Sequence, residues 1–221
     1  MVNAGAVRIY LIRHAETVHN REGLVQGRAD NPLSALGLQQ AEALASAFAG
    51  LTLHGVYASP LRRAQQTAEP LALAHGVAVT VVPDLTEMDI GAMEGLSGPQ
   101  LRERHPEFLR AWTSETAGSV AMPGGESLEQ VQRRAGAALD QIAAATGTGS
   151  VAVVSHNFVV LTLLCRALSL PLKDFRRLRH HVAGISMIEV TASRGVVVQV
   201  NDTCHLRGAG LLGEDPWQRR G

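Results

Sequence analysis

The chain has 221 residues, 46% of them hydrophobic, which is enough for one substantial core, and its 20 basic side chains balance 20 acidic ones. That balance leaves no field of one sign to hold nucleic acid or an anionic membrane, so the expected ligand is small. The cysteines are Cys165, in the apolar run VVLTLLCRAL, and Cys204; two cannot make a disulfide framework, and Cys165 reads as a buried free thiol.

The stretch MVNAGAVRIYLIRH lacks a basic segment followed by a long apolar run and a cleavage site. Nowhere does the chain approach about 20 uninterrupted apolar residues. A cytoplasmic protein without membrane segments is expected.

In chain order, residues 7–12 (VRIYLI) form an unalternating apolar run, as expected of a parallel strand buried on both faces. Ser34 can cap the next helix, in which Leu38, Ala41, Leu44, Ala45 and Phe48 recur at helical spacing before Gly50. A second strand is predicted at 55–59 (GVYAS), with Ser59 as N-cap and Pro60 at the first helical position of a helix that ends near Gly76. VAVTVV (77–82) and SVAVVS (150–155) read as the third and fourth strands, the latter running directly into a helix.

Ser127 opens a helix with one apolar stripe, Leu128, Val131, Ala135, Leu139 and Ile142, that ends at GTG (147–149). Residues 91–126, rich in Gly, Pro and charge, look like a small helical cap inserted over the sheet. ISMIEV (185–190) and VVVQV (196–200), joined by ASRG, suggest an antiparallel hairpin at one edge, and a loose tail is expected from Arg207. The expected fold is therefore α/β: one domain over 1–221, a three-layer, doubly wound, mostly parallel sheet with an antiparallel edge. VVVQV could pair with a second copy of the chain, giving a homodimer, or be covered.

Ligands of open parallel sheets bind beyond the carboxyl ends of the strands, and four segments converge there. The first strand delivers Arg13 and His14, the second leads to Arg62 and Arg63, the third to Glu87, and the fourth to Ser155 and His156. This is the set that phosphoryl transfer to nitrogen needs. A neutral imidazole, His14, can attack phosphorus, and adjacent guanidinium groups favour that neutral form. Arg13 and Arg63 offer planar forks to the phosphoryl oxygens, His156, if protonated, adds a further positive donor, and Glu87 can protonate the leaving alkoxide and later activate water. Each residue alone is more often structural; their joint placement points to chemistry.

At these residues the sequence resembles the histidine phosphatase superfamily, which includes the cofactor-dependent phosphoglycerate mutases: LIRHAET (11–17), SPLRRAQQTA (59–68), LTEMDIGAMEG (85–95) and VVSHN (153–157). NREGLVQG (20–27), LSALGLQQA (33–41), PGGES (123–127) and NDTCHL (201–206) extend the resemblance over nearly all of 7–206. It implies that His14 is the nucleophile, that Arg13, Arg63 and His156 bind the phosphoryl group, and that Glu87 is the proton donor. Asn20 and Gln26 match secondary phosphate and substrate contacts. Asn157 stands where Gly is common after the second histidine and is counted with the substrate-binding positions. Ala15 replaces the family's usual Gly, and its methyl is expected to narrow the approach to the phosphate.

The stretch 96–150 is short beside that of the mutases, whose longer insertion shields the phosphoenzyme from water, so a phosphatase acting on a small phosphorylated metabolite is favoured over a mutase. No cofactor or metal is expected. Loss of His14 or Glu87 would mark a non-catalytic relative that only binds phosphorylated ligands, and both are present. Phe108 and Trp112, four apart on a predicted helix, either face the pocket for an apolar leaving group or pack cap on sheet. GAGLLG (208–213) lies too near the end of the chain to open a dinucleotide-binding unit, and His180, His181, Cys204 and His205 lack metal-ligand spacing.

Overall fold

In a computed structural model, which describes residues 6–191 and 195–213, six strands form one sheet in the order β3-β2-β4-β1-β5-β6. β1 is Val7–Arg13, β2 Gly55–Ala58, β3 Val79–Val81, β4 Gly149–Ser155, β5 Ile185–Val190 and β6 Gly195–Asp202. The first four run parallel, while β5 lies antiparallel to β1 and β6 antiparallel to β5, so the antiparallel part comprises two strands. The residues expected to join β5 to β6 lie, apart from Gly195, outside the described residues. β3 is shorter than the expected 77–82: it is an edge strand paired only with β2, and Val81 is exposed.

The two central strands show why helices cover both faces. Ile9, Leu11, Val151 and Val153 point into one apolar cluster and Tyr10, Ile12, Ala152 and Val154 into another, the period-two alternation of a pleated strand with no polar side. The first cluster is closed by α6 (Leu128–Thr146) and α7 (Asn157–Ala167), the second by α2 (Ala35–Ala47) and α3 (Arg62–Ala74), giving three layers. Leu128 and Val131 of α6 are completely buried, each contributing about 1.5–3 kcal/mol. Ser127 starts that helix with a capping box: its hydroxyl accepts from the Gln130 N–H and the Gln130 side chain accepts from the Ser127 N–H.

α1 (Val18–Glu22) follows β1, and the cap supplies two short helices, α4 (Gly98–Arg104) and α5 (Pro106–Trp112). Trp112 is buried against Phe158 of α7 and Phe175 of the 3-10 turn at Leu172–Arg177, with Phe108 stacked on it at 5.3 Å, so this aromatic pair packs the cap on the helical layer. α8 (Cys204–Gly208) lies against α2, and the described part of the expected loose tail is held there: Gln40 Nε2 donates to the Leu211 carbonyl, and Leu206 is buried. Among the described residues no helix is long and apolar enough to cross a membrane.

Candidate active site

β1 and β4 end together, with Arg13 paired in register with Ser155, so His14 and His156 leave adjacent strands side by side. The His14 N–H donates to the Ser155 carbonyl at 2.8 Å, and the two imidazole centroids lie 5.2 Å apart. Both rings are buried.

His14 Nδ1 lies 2.7 Å from the Ala15 carbonyl, which can only accept, so the ring proton sits on Nδ1 and the lone pair on Nε2. Burial first, then the charges of Arg63 and Arg13, hold the His14 pKa well below the usual imidazole value, so the ring is neutral near pH 7. The same forces act on His156, which is therefore a neutral donor in the free pocket and not the positive one considered from sequence.

Ser59 holds the His156 ring through one of its nitrogens. Its hydroxyl accepts from the Leu61 N–H and lies 2.7 Å from His156 Nε2; a hydroxyl can donate once and accept twice, so this contact fits either tautomer. The other ring nitrogen, Nδ1, is buried and has no partner among the described residues. Ser59 was expected as the N-cap of α3. The helix starts instead at Arg62, because the turn through Pro60 delivers the hydroxyl to the histidine rather than to the first helical amides.

Arg63, in the first turn of α3, is fully buried and tightly held. Its Nη1 donates to the Ala29 carbonyl at 2.7 Å and its Nη2 to the Gly27 carbonyl at 2.6 Å. Gln26, in the amide orientation its neighbours require, accepts from Arg63 Nη1 at 2.9 Å and donates to Thr17 Oγ1 at 2.7 Å. Burial lowers the Arg63 pKa to about 10, opposed by Glu87, Glu94 and Asp30, and the guanidinium stays charged. Arg13 donates from Nη1 to the His180 carbonyl (2.7 Å) and to Asn157 Oδ1 (3.3 Å). Asn157 and Gln26 thus each touch a guanidinium, whereas the Asn20 oxygen accepts from the Thr17 N–H and hydroxyl in the capping box of α1.

Glu87 is buried, with Oε1 accepting from the Met88 N–H at 2.7 Å and Oε2 from the Phe158 N–H, in the first turn of α7, at 3.2 Å. Burial raises its pKa; the two N–H bonds and the charges of Arg63 and Arg13 oppose the rise without cancelling it. Thr67 takes the Ala15 N–H at 3.0 Å and donates to the Arg63 carbonyl, tying the His14 segment to the helix that carries Arg63. Sequence reasoning assigned no role to Thr67 and the wrong one to Ser59, though Ser59 follows β2 at the same strand edge that drew attention to His156. The Ala15 methyl does not narrow the phosphate approach as expected: it is buried among Leu33, Ala41, Ala183 and Leu206. His180 and His181 bond to Ser186 and Asn201.

The sequence pattern of the histidine phosphatase superfamily (branch 1) matches residues 9–203. Phosphoserine phosphatase 1 of Hydrogenobacter thermophilus is 34% identical over 200 residues, covering 90% of this chain and 94% of that protein. A probable phosphoglycerate mutase of Yersinia pestis is 31% identical over 205 residues, covering 90% of this chain and 95% of its own. Among solved structures, a putative α-ribazole-5′-P phosphatase from Escherichia coli superimposes with a TM-score of 0.79 at 28% identity, covering 89% of this chain and 96% of that one.

Proposed function

The chain belongs to the histidine phosphatase superfamily, and from that membership and the pocket geometry we propose a phosphomonoesterase that works through a phosphohistidine on His14. Its substrate is a small phosphorylated metabolite. The Nε2 lone pair of His14 attacks phosphorus in line; the P–N bond forms as the P–O bond breaks, and the Glu87 carboxyl gives its proton to the departing alkoxide. The Glu87 carboxylate then takes a proton from water, whose oxygen attacks phosphorus, and inorganic phosphate leaves as the P–N bond breaks. Arg13, Arg63 and the His156 N–H hold the phosphoryl oxygens as negative charge shifts among them. Asn157 and Gln26 keep the two guanidinium groups in place, and Asn20 is a secondary substrate contact through its amide nitrogen.

The observation that carries this reading is the 2.7 Å contact of His14 Nδ1 with the Ala15 carbonyl, which commits the lone pair to Nε2 beside two guanidinium groups. The test is turnover of p-nitrophenyl phosphate in EDTA, followed by an alkaline quench and peptide mapping. The phosphoryl group is expected on the His14 peptide and to be acid-labile; His14→Ala should lack it and lose turnover by at least about 10³-fold. Phosphoryl on another residue, or wild-type turnover in the variant, would refute the reading. Hydrolysis is favoured over mutase activity by the phosphatases among the relatives and structural neighbours; isomerisation of 3-phosphoglycerate without phosphate release would reverse that preference.

A further inference from the structure

Glu87 lies on a segment without regular structure, between 3-10 turns at Pro83–Leu85 and Gly91–Met93, so neither strand nor helix fixes where its carboxyl points. A proton donor displaced by about 1 Å can lose roughly 10²-fold in rate. The device that fixes this segment comes from α6, a helix that supplies none of the residues described above as phosphoryl or proton-transfer groups.

We propose that Arg134 of α6, acting with Glu126, is a positioning residue of the reaction: the pair clasps the backbone on both sides of Glu87 and holds its carboxyl where the leaving group departs. The proposal rests on the reading of Glu87 as the general acid. Arg134 commits all five of its N–H donors to this purpose. Nη1 donates to the Asp84 carbonyl at 2.7 Å and the Thr86 carbonyl at 2.6 Å, and Nη2 to the Glu87 carbonyl at 3.2 Å. The remaining two bonds, from Nε and Nη2, go to the two Glu126 oxygens at 2.9 Å each.

Glu126 completes the clasp from the other side: its Oε2 accepts from the Asp89 N–H at 2.9 Å, and its own N–H donates to the Asp89 carbonyl at 2.8 Å. Both side chains are only 17% exposed, which limits competition from water. Burial works against the Glu126 charge, yet Arg134 and the Asp89 N–H hold its carboxyl below the usual range, so it stays ionised and paired. Close glycines permit the approach. A Cβ on Gly125 would stand 2.2 Å from the Asp89 carbonyl oxygen and one on Gly91 2.1 Å from that of Pro123. This explains PGGES: Gly125 lets the loop press on 89–91, Glu126 forms the clasp and Ser127 caps α6.

A lysine cannot reproduce this arrangement, since its three donors radiate from one nitrogen and cannot span three carbonyls and a carboxylate. The experiment compares kcat/KM, which reports the steps up to leaving-group departure, for p-nitrophenyl phosphate and for glycerol 2-phosphate, an alkyl ester that needs a proton on its leaving oxygen. Glu87→Gln, Arg134→Gln, Arg134→Lys and Glu126→Gln are measured together, with thermal unfolding as the check on folding.

Arg134→Gln is expected to lower the alkyl ester about 10- to 100-fold more than the aryl ester, in the direction of Glu87→Gln, with Arg134→Lys recovering only part. If Arg134→Gln does not fold, Arg134→Lys supplies the same comparison. Equal loss on both esters, or no loss, would overturn the proposal, because a merely structural arginine does not distinguish leaving groups. Should Glu87→Gln be selective and the Arg134 variants not, the clasp alone falls; should Glu87→Gln itself show no selectivity, the acid assignment falls and takes the clasp with it.

Discussion

His14 and Glu87 feel the same two guanidinium groups, yet they are held by different kinds of structure. His14 is fixed by its own neighbourhood: the next residue's carbonyl orients the ring and the adjacent strand's last carbonyl takes its N–H. Glu87 is fixed from a distance, by α7 through the Phe158 N–H and, in the clasp proposed above, by Arg134 and Glu126. In the roles proposed above, His14 as nucleophile must be aimed, which strand ends do well. Glu87 as acid needs its proton retained, which takes burial, and a buried loop then needs partners for every carbonyl that it removes from water.

Changes on the two sides should therefore differ in kind, and the largest contrast is expected at Glu87. Its raised pKa keeps the proton above the usual carboxylate range, so wild-type kcat/KM for an alkyl ester should fall as pH rises through that value. Glu87→Gln should abolish this limb and cost roughly 10²–10⁴-fold on that ester. An unchanged high-pH limb in the variant would remove Glu87 from the acid's place.

Gly125→Ala should act on the same side through the backbone. Its methyl meets the Asp89 carbonyl, so a loss of about 1–3 kcal/mol is expected in denaturant unfolding, with a shift of rate loss towards alkyl esters. A variant as stable as wild type would mean that the 123–126 loop yields freely and cannot be holding 84–89.

The smallest effect is expected at Ser59, on the phosphoryl side. Without its hydroxyl, His156 loses the bond that orients its ring, about a tenfold loss in kcat/KM, the same for aryl and alkyl esters because no leaving group is involved. A loss confined to alkyl esters would erase the distinction between the two sides.

Much of this was legible in residue order. VRIYLI and SVAVVS announce buried parallel strands, and the rule that ligands gather beyond strand carboxyl ends brings Arg13, His14, Ser155 and His156 together before any coordinates are known. Ser34 and Ser127 mark their helices correctly, each with a hydroxyl accepting the N–H three residues on. The same local rule failed at Ser59, because a hydroxyl after a strand and before Pro-Leu has two possible uses and only the neighbouring strand supplies the competing histidine. Ala15 was misjudged for a similar reason: sequence places it beside the phosphate, but the direction of its methyl depends on the cluster around Leu33 and Leu206.

By itself, then, the sequence determined the strands, their order of use at the carboxyl edge and which candidate side chains gather there, since these depend on periodicity and on residues adjacent in the chain. Only the tertiary structure decided the protonation of His156, the partners of Arg63 and the union of Arg134 with the carbonyls of 84–87. Those depend on burial and on contacts between segments far apart in the chain, such as Ser59 with His156, 97 residues apart, and no local pattern carries that information.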